Sequence, residues 1–375
     1  MRASRPRIVI AGLGDTGLLT AIRLAGRADV VGISTKPGLL SGQELGLRIS
    51  RPRQWARDYW VGFDRYRGLD RVRTVQAVLT GVDLDARVVF MIGTDGAAVH
   101  EPYDVLVIST GVRSGFWRQP SLQTREQIVA DLDTTHARLA AATSVIVVGG
   151  GAAAMSAATS LATTWPGIKI DLYFPGPRAL AEHHPRAWKL LQQRLIRLGV
   201  GIHPGHRAEL PAGFTGTEIT AVPVRWSTGQ APASADAVLW AIGHARPNTE
   251  WLPAELRDGD GFIPVDAYLQ VVGHPGVFAI GDVAATDPLR ASARARADGL
   301  LAGNITAWLR GRKMKTYRPP RYRWGSIVGP QPDGLQVFTP NGRAFRFPAW
   351  SVDHVLMPWI VRRGIYRGVR EVSQD

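Results

Sequence analysis

Apolar positions along this chain fall into two alternating patterns. Short β-branched runs recur at Ile8-Val9-Ile10-Ala11, Val30–Ser34, Val105-Leu106-Val107-Ile108 and Val145-Ile146-Val147-Val148. Continuous apolar runs of this length mark strands buried on both faces of a parallel sheet. Between them lie Ala- and Leu-rich stretches with helical spacing, near Thr16–Ala25, over residues 124–142, at Met155–Thr163, and at Arg186–Leu198 with Gly199 closing the last. Further strands are predicted at Lys169–Phe174, in the run ending Trp240-Ala241-Ile242-Gly243, and at Gly276–Val283. A hairpin-like stretch covers Gly261–Val272, two strands flank an Asp-containing turn within Val75–Phe90, and a helix is predicted from Leu289 to Leu309. The aromatics of Pro52–Val72 have near-helical spacing and read as a packed core face. Strands and helices in alternation imply parallel sheets with helices on both sides.

Two of these strands break into glycine-rich turns that open a helix. The first gives Gly12-Leu13-Gly14-Asp15-Thr16-Gly17, the second Gly149-Gly150-Gly151-Ala152-Ala153-Ala154. In a dinucleotide cradle the first glycine makes the tight turn, the second admits the pyrophosphate, and the third small residue packs helix on strand. The helix N-terminus supplies N–H groups and the positive end of its dipole. Two cradles imply two dinucleotides, one delivering a hydride and one receiving it. The expected fold is α/β with two Rossmann-like domains. The second is set into the first, because its stretch is bracketed by Thr110-Gly111 and Gly281-Asp282, each ending an apolar strand. Expected boundaries are 1–115 and 245–314 for the first dinucleotide-binding domain, 116–244 for the second, and 315–375 for a C-terminal segment.

Composition narrows the chemistry. The 375 residues are 45% hydrophobic and 20% charged, an ordinary globular balance, and none is cysteine. Thiol–disulfide exchange, thiolate metal sites and sulfenate chemistry are therefore excluded. His183-His184 and His203/His206 lack acidic or thiol companions at ligand spacing, and no metal site is expected. No Gly-x-Ser-x-Gly elbow is present. The formal net charge is +14, and Arg290 to the C-terminus holds sixteen Lys/Arg against five Asp/Glu. Such a surplus suits anionic lipid, nucleic acid or an acidic protein. No apolar run is long enough to span a bilayer, and Met1–Arg7 leads straight into a strand. The protein is expected on the cytoplasmic side of the cell membrane.

The order GLGDTG, ISTG, GGGAAA, WAIG and FAIGD resembles the flavoproteins in which FAD and a nicotinamide nucleotide meet. Within them the chain is most similar to a Cys-free branch: type II NADH:quinone dehydrogenases, apoptosis-inducing factor and the ferroptosis-suppressor-protein-like reductases. Thr164-Trp165-Pro166-Gly167 and Tyr268–Pro275 carry the closest likeness. The resemblance implies that Gly12, Gly14 and Gly17 hold the FAD pyrophosphate and that Asp282, after Gly281, accepts hydrogen bonds from the ribityl chain. It places Thr110 and Gly111 beside the flavin and Val78 near the adenine. Gly149, Gly151 and Ala154 would hold the NAD(P) pyrophosphate, and Gly243 would lie where the nicotinamide enters.

Departures are informative. The acid that reads a ribose is missing after the second strand, which ends Ile33-Ser34-Thr35-Lys36; Ser34 or Glu44 is the substitute. Asp15 places a carboxylate inside a phosphate cradle. The corresponding strand of the second unit ends in Phe174-Pro175-Gly176-Pro177-Arg178, again without an acid. Arg178 there suits a 2′-phosphate and tilts the reading toward NADPH over NADH. Ser156 stands where many relatives carry a glutamate near the nicotinamide.

Pro348–Val361 is apolar, holds Trp350 and Trp359, and is followed by Arg362-Arg363. Aromatic rings beside guanidinium groups resemble an interfacial anchor. The expected activity is therefore FAD-dependent NAD(P)H oxidation with a quinone as acceptor at an anionic membrane surface. The alternatives are a soluble acidic redox protein as acceptor, or a nucleotide-sensing, nucleic-acid-associated protein on a degenerate flavoprotein fold.

Overall fold

In the computed structural model, residues 5–41, 45–113, 121–211, 213–214, 219–242, 246–293 and 295–371 are described. Two parallel sheets organise them. The larger has seven strands in the order Val277–Ala279, Val105–Ile108, Arg7–Ala11, Asp29–Ser34, Val72–Asp83, Val88–Gly93 and Ala98–Pro102. The first five pair in parallel and the last two extend them as an antiparallel meander. The smaller has the order Gly201–Pro204, Lys169–Phe174, Ser144–Val148, Ala237–Trp240 and Ile219–Thr220, parallel except for the last strand.

Every strand of the smaller sheet lies in sequence between two neighbouring strands of the larger one, so the second Rossmann-like unit is nested in the first. The chain crosses between them twice, and the crossings pair as a short antiparallel ribbon, Val112–Arg113 with Arg246–Pro247. The central parallel strands of each sheet are buried on both sides. Ile8 and Ile10 face one apolar cluster and Val9 and Ala11 another, as strand alternation requires.

The helices expected from the sequence form with one exception. Arg125–Ala140 starts at a capping box, Thr124 with Gln127. The stretch predicted as one helix from Leu289 is helical only over Asp298–Trp308. The Asp287 carboxylate accepts the N–H groups of Leu289 and Ala291, and Arg290 and Arg296 take positive φ, so the preceding segment is held in turns. The aromatic stretch after Pro52 is a short helix, Pro52–Asp58, which buries Trp55 against Trp60.

The C-terminal segment joins both units. Strands Gly325–Gln331, Gly334–Phe338 and Ala344–Phe347 form an antiparallel sheet that buries Ile327, Val328 and Phe338 in the core of the nested unit. A π-helix, Val352–Ile365, follows, and the chain then returns to the larger unit. There Tyr366 meets Tyr66 edge-on at 5.1 Å, and Arg370 pairs with Asp70 at 2.8 Å.

Candidate functional site: two cradles and a cleft

Helix Asp15–Leu24 starts directly from strand Arg7–Ala11 through the first glycine turn. Gly12 has φ +103°, and a Cβ there would lie 2.5 Å from Ser109 O. At Gly17 a Cβ would sit 1.9 Å from Gly12 O, so the helix can approach the turn only without a side chain. Ser109 Oγ donates to Gly12 O at 2.7 Å and locks the turn to the neighbouring strand. Gly14 is different: it is exposed, and nothing lies within 4 Å of its Cβ position. No side chain caps the helix it opens. Two glycines are thus needed for packing, and the third leaves open backbone for a phosphate.

This turn forms one wall of a cleft of about 490 Å³. The cleft gathers Gly12, Gly14, Ser34, Val78, Thr110, Gly111, Gly281 and Asp282, drawn from five separate stretches of sequence. Gly281 takes φ +87°, and its N–H donates to Ser292 Oγ at 2.9 Å, which fixes the turn that presents Asp282. Thr110 Oγ1 donates to Asn248 O at 2.7 Å, and Asn248 Nδ2 donates back to Thr110 O at 3.0 Å. Gly17 alone of the FAD residues expected from sequence stands behind the wall, in the packing role just described.

The second cradle repeats the first. Gly149 has φ +141°, with a Cβ position 2.1 Å from Ala241 O, while Gly151 is exposed and open. Ala154 is fully buried in the core, so it serves helix packing. Helix Ala152–Thr164 carries no side-chain cap. Arg178 sits in the loop after strand Lys169–Phe174, where its guanidinium donates to Leu180 O at 2.9 Å and Ala181 O at 3.0 Å. Gly243 and Glu44 lie outside the described residues. Ser156 is buried: it accepts the Gly46 N–H at 3.0 Å and donates to Val328 O at 3.3 Å, joining three elements.

The cleft residues not singled out from the sequence include Lys36, Asn248 and Trp251. Lys36 follows the second strand where an acid was expected. It is 6% exposed, its ammonium donates to Ser121 O, and burial lowers its pKa to about 8 against a weaker upward pull from Asp131. The signal was present in Ser34-Thr35-Lys36 but read only as a missing acid. Asn248 gave no signal, because its role depends on a contact 138 residues away.

A family model described as pyridine nucleotide-disulphide oxidoreductase matches residues 6–299. The chain belongs to this family. Among curated relatives, the oxidoreductase ptaL of Pestalotiopsis fici is 28% identical over 331 residues, covering 85% of this chain and 82% of the relative. An NADH dehydrogenase-like protein of Mycobacterium tuberculosis is 29% identical over 317 residues, covering 74% and 73%. Among solved structures, the ferredoxin reductase for the CYP199A2 system of Rhodopseudomonas palustris has a TM-score of 0.64 at 21% identity, covering 88% of this chain and 81% of that one. This family member is a flavin-dependent NAD(P)H oxidoreductase with FAD and a nicotinamide nucleotide as cofactors. The open backbone of Gly14 on the cleft and of Gly151 at an uncapped helix start fits both pyrophosphates. The family's disulphide chemistry is absent, since the chain has no cysteine.

Proposed function

We propose that this oxidoreductase passes electrons from NAD(P)H to a quinone at an anionic membrane surface. Bound FAD supplies the hydride and electron chemistry. The chain's own residues bind and orient. Gly12, Gly14 and the helix behind them receive the FAD pyrophosphate, and Asp282 accepts hydrogen bonds from the ribityl hydroxyls. Gly149 and Gly151 receive the nicotinamide nucleotide. No side chain is required as a nucleophile.

The observation that carries the membrane reading is the exposure of large apolar side chains on the C-terminal helix. Trp350 is 65% exposed and Trp359 58%, with Val355 and Ile360 also outside. The Arg363 guanidinium lies 5.1 Å from the Trp359 ring, and the exposed stretch Arg310–Arg312 adds charge. Indole rings suit the headgroup level, and each cation near an anionic surface contributes roughly 1 kcal/mol. Among the described residues no helix is long and apolar enough to cross a membrane, so contact is peripheral in this reading.

Flotation with anionic and zwitterionic vesicles tests it. The expected result is flotation with anionic vesicles, lost in Trp350→Ala/Trp359→Ala, and quinone-dependent NAD(P)H oxidation. Protein that stays at the bottom of the gradient in both cases, yet reduces a soluble acidic redox protein, would assign the basic face to that partner instead.

A further inference from the structure

We propose that Lys36 holds the adenosine ribose of FAD, its ammonium donating to the two vicinal hydroxyls in place of the usual carboxylate. The inference rests on the FAD reading of the first cradle. In dinucleotide folds the ribose is read from the end of the second strand. Here that strand ends at Ser34, and Lys36 lines the cleft beside Ser34 and Val78.

Two neighbouring polar side chains are engaged. Ser34 Oγ accepts the Lys36 N–H at 3.1 Å. The Gln76 amide donates to Thr35 O and Gln123 O. Arg113, the other cation among the described lining residues, is tied to Asn248 and Glu250. Lys36 differs. An ammonium has three N–H donors, and among the described residues the side chain has one hydrogen-bond partner, the carbonyl of exposed Ser121. Two donors are left for two hydroxyls. Packing does not require a charge here; burying one is costly unless something pairs with it. A lysine kept in a nearly closed position with donors to spare is best explained by a ligand. A hydroxyl pair both donates and accepts, so an ammonium satisfies it as a carboxylate does, with the hydrogen bonds reversed.

The test is a titration of the apo-protein with FAD and with FMN, which lacks the adenosine, followed by flavin fluorescence quenching. Lys36→Met is expected to weaken FAD about tenfold and to leave FMN unchanged. Lys36→Glu should recover most of the loss, since hydroxyls accept either partner. The thermal midpoint of apo Lys36→Met should equal or exceed that of the parent, because a buried charge is removed and Ser121 O turns to water. Unchanged FAD affinity in Lys36→Met would overturn the proposal. Parallel loss of FAD and FMN would assign Lys36 a merely structural role and also overturn it. Lys36→Glu binding more weakly than Lys36→Met would point to a phosphate rather than the ribose. If Lys36→Met does not fold, Lys36→Leu is read in the same way. Parent protein that binds no FAD would instead remove the reading on which the proposal rests.

Discussion

The two glycine cradles solve the same mechanical problem with different tolerance. In each, the first glycine lies in left-handed backbone with a carbonyl of the adjacent strand where a side chain would be, at 2.5 Å for Gly12 and 2.1 Å for Gly149. In each, the second glycine faces open space. They diverge at the third position. Gly17 is pressed against Gly12 O, whereas Ala154 packs its methyl into the core of the nested unit. The first helix approaches its turn more closely than the second. A glycine motif therefore mixes residues that permit folding with residues that permit binding, and only the structure separates them.

The largest effect should come from the packing glycines. Gly12→Ala and Gly149→Ala each combine a disfavoured φ with a backbone clash and should cost about 2 kcal/mol or more. Thermal unfolding of the apo-proteins checks this. Gly12→Ala should also lose flavin on purification, while Gly149→Ala should keep flavin and lose reduction by NAD(P)H. Equal flavin loss in both would erase the distinction between the cradles.

The open glycines should behave in the opposite way. Gly14→Ala and Gly151→Ala are expected to change apo stability by less than about 0.5 kcal/mol. Their effect falls on affinity, with FAD weakened by the first and the nicotinamide nucleotide by the second. Calorimetric titration of each ligand separates the two sites.

Lys36 gives the cleft beside the first cradle a pH signature. Its pKa falls from 10.5 when unfolded to about 8 when folded. Between those values the unfolded chain holds the proton that the folded chain has released, so apo stability rises with pH across that window. Below pH 8 both states are protonated and the full cost of burying the charge persists. Denaturant titrations from pH 7.5 to 10 should show this rise in the parent and a flatter profile in Lys36→Met.

Arg178 offers the smallest effect on ligand handling. Its guanidinium is engaged by carbonyls of its own loop. Arg178→Ala should lower stability by about 1 kcal/mol and leave the ratio of kcat/KM for NADPH and NADH within about threefold. A tenfold fall in that ratio would assign it to the 2′-phosphate.

Much of this was legible because it is local. Both turns, their strands and their helices follow from contiguous residues, and nesting follows from the order of strand ends. What stayed hidden depends on distance in sequence. Asn248 matters because it stitches to Thr110, and Lys36 stands out because Ser121, 85 residues on, closes over it. The helix expected from Leu289 fails over its first part because one carboxylate, Asp287, holds the local N–H groups in a turn. The C-terminal segment read as apolar and basic. That pattern did not reveal that its sheet packs on the nested unit while its last residues dock on the larger one.

In this reading one cradle receives the electrons that the other delivers. The absorption spectrum of the purified or FAD-reconstituted protein, recorded before and after anaerobic addition of NADH or NADPH, tests it most directly. Visible flavin bands that bleach on addition of the reduced nucleotide are expected. Protein that takes up no flavin, or flavin that stays oxidised with both nucleotides, would contradict it.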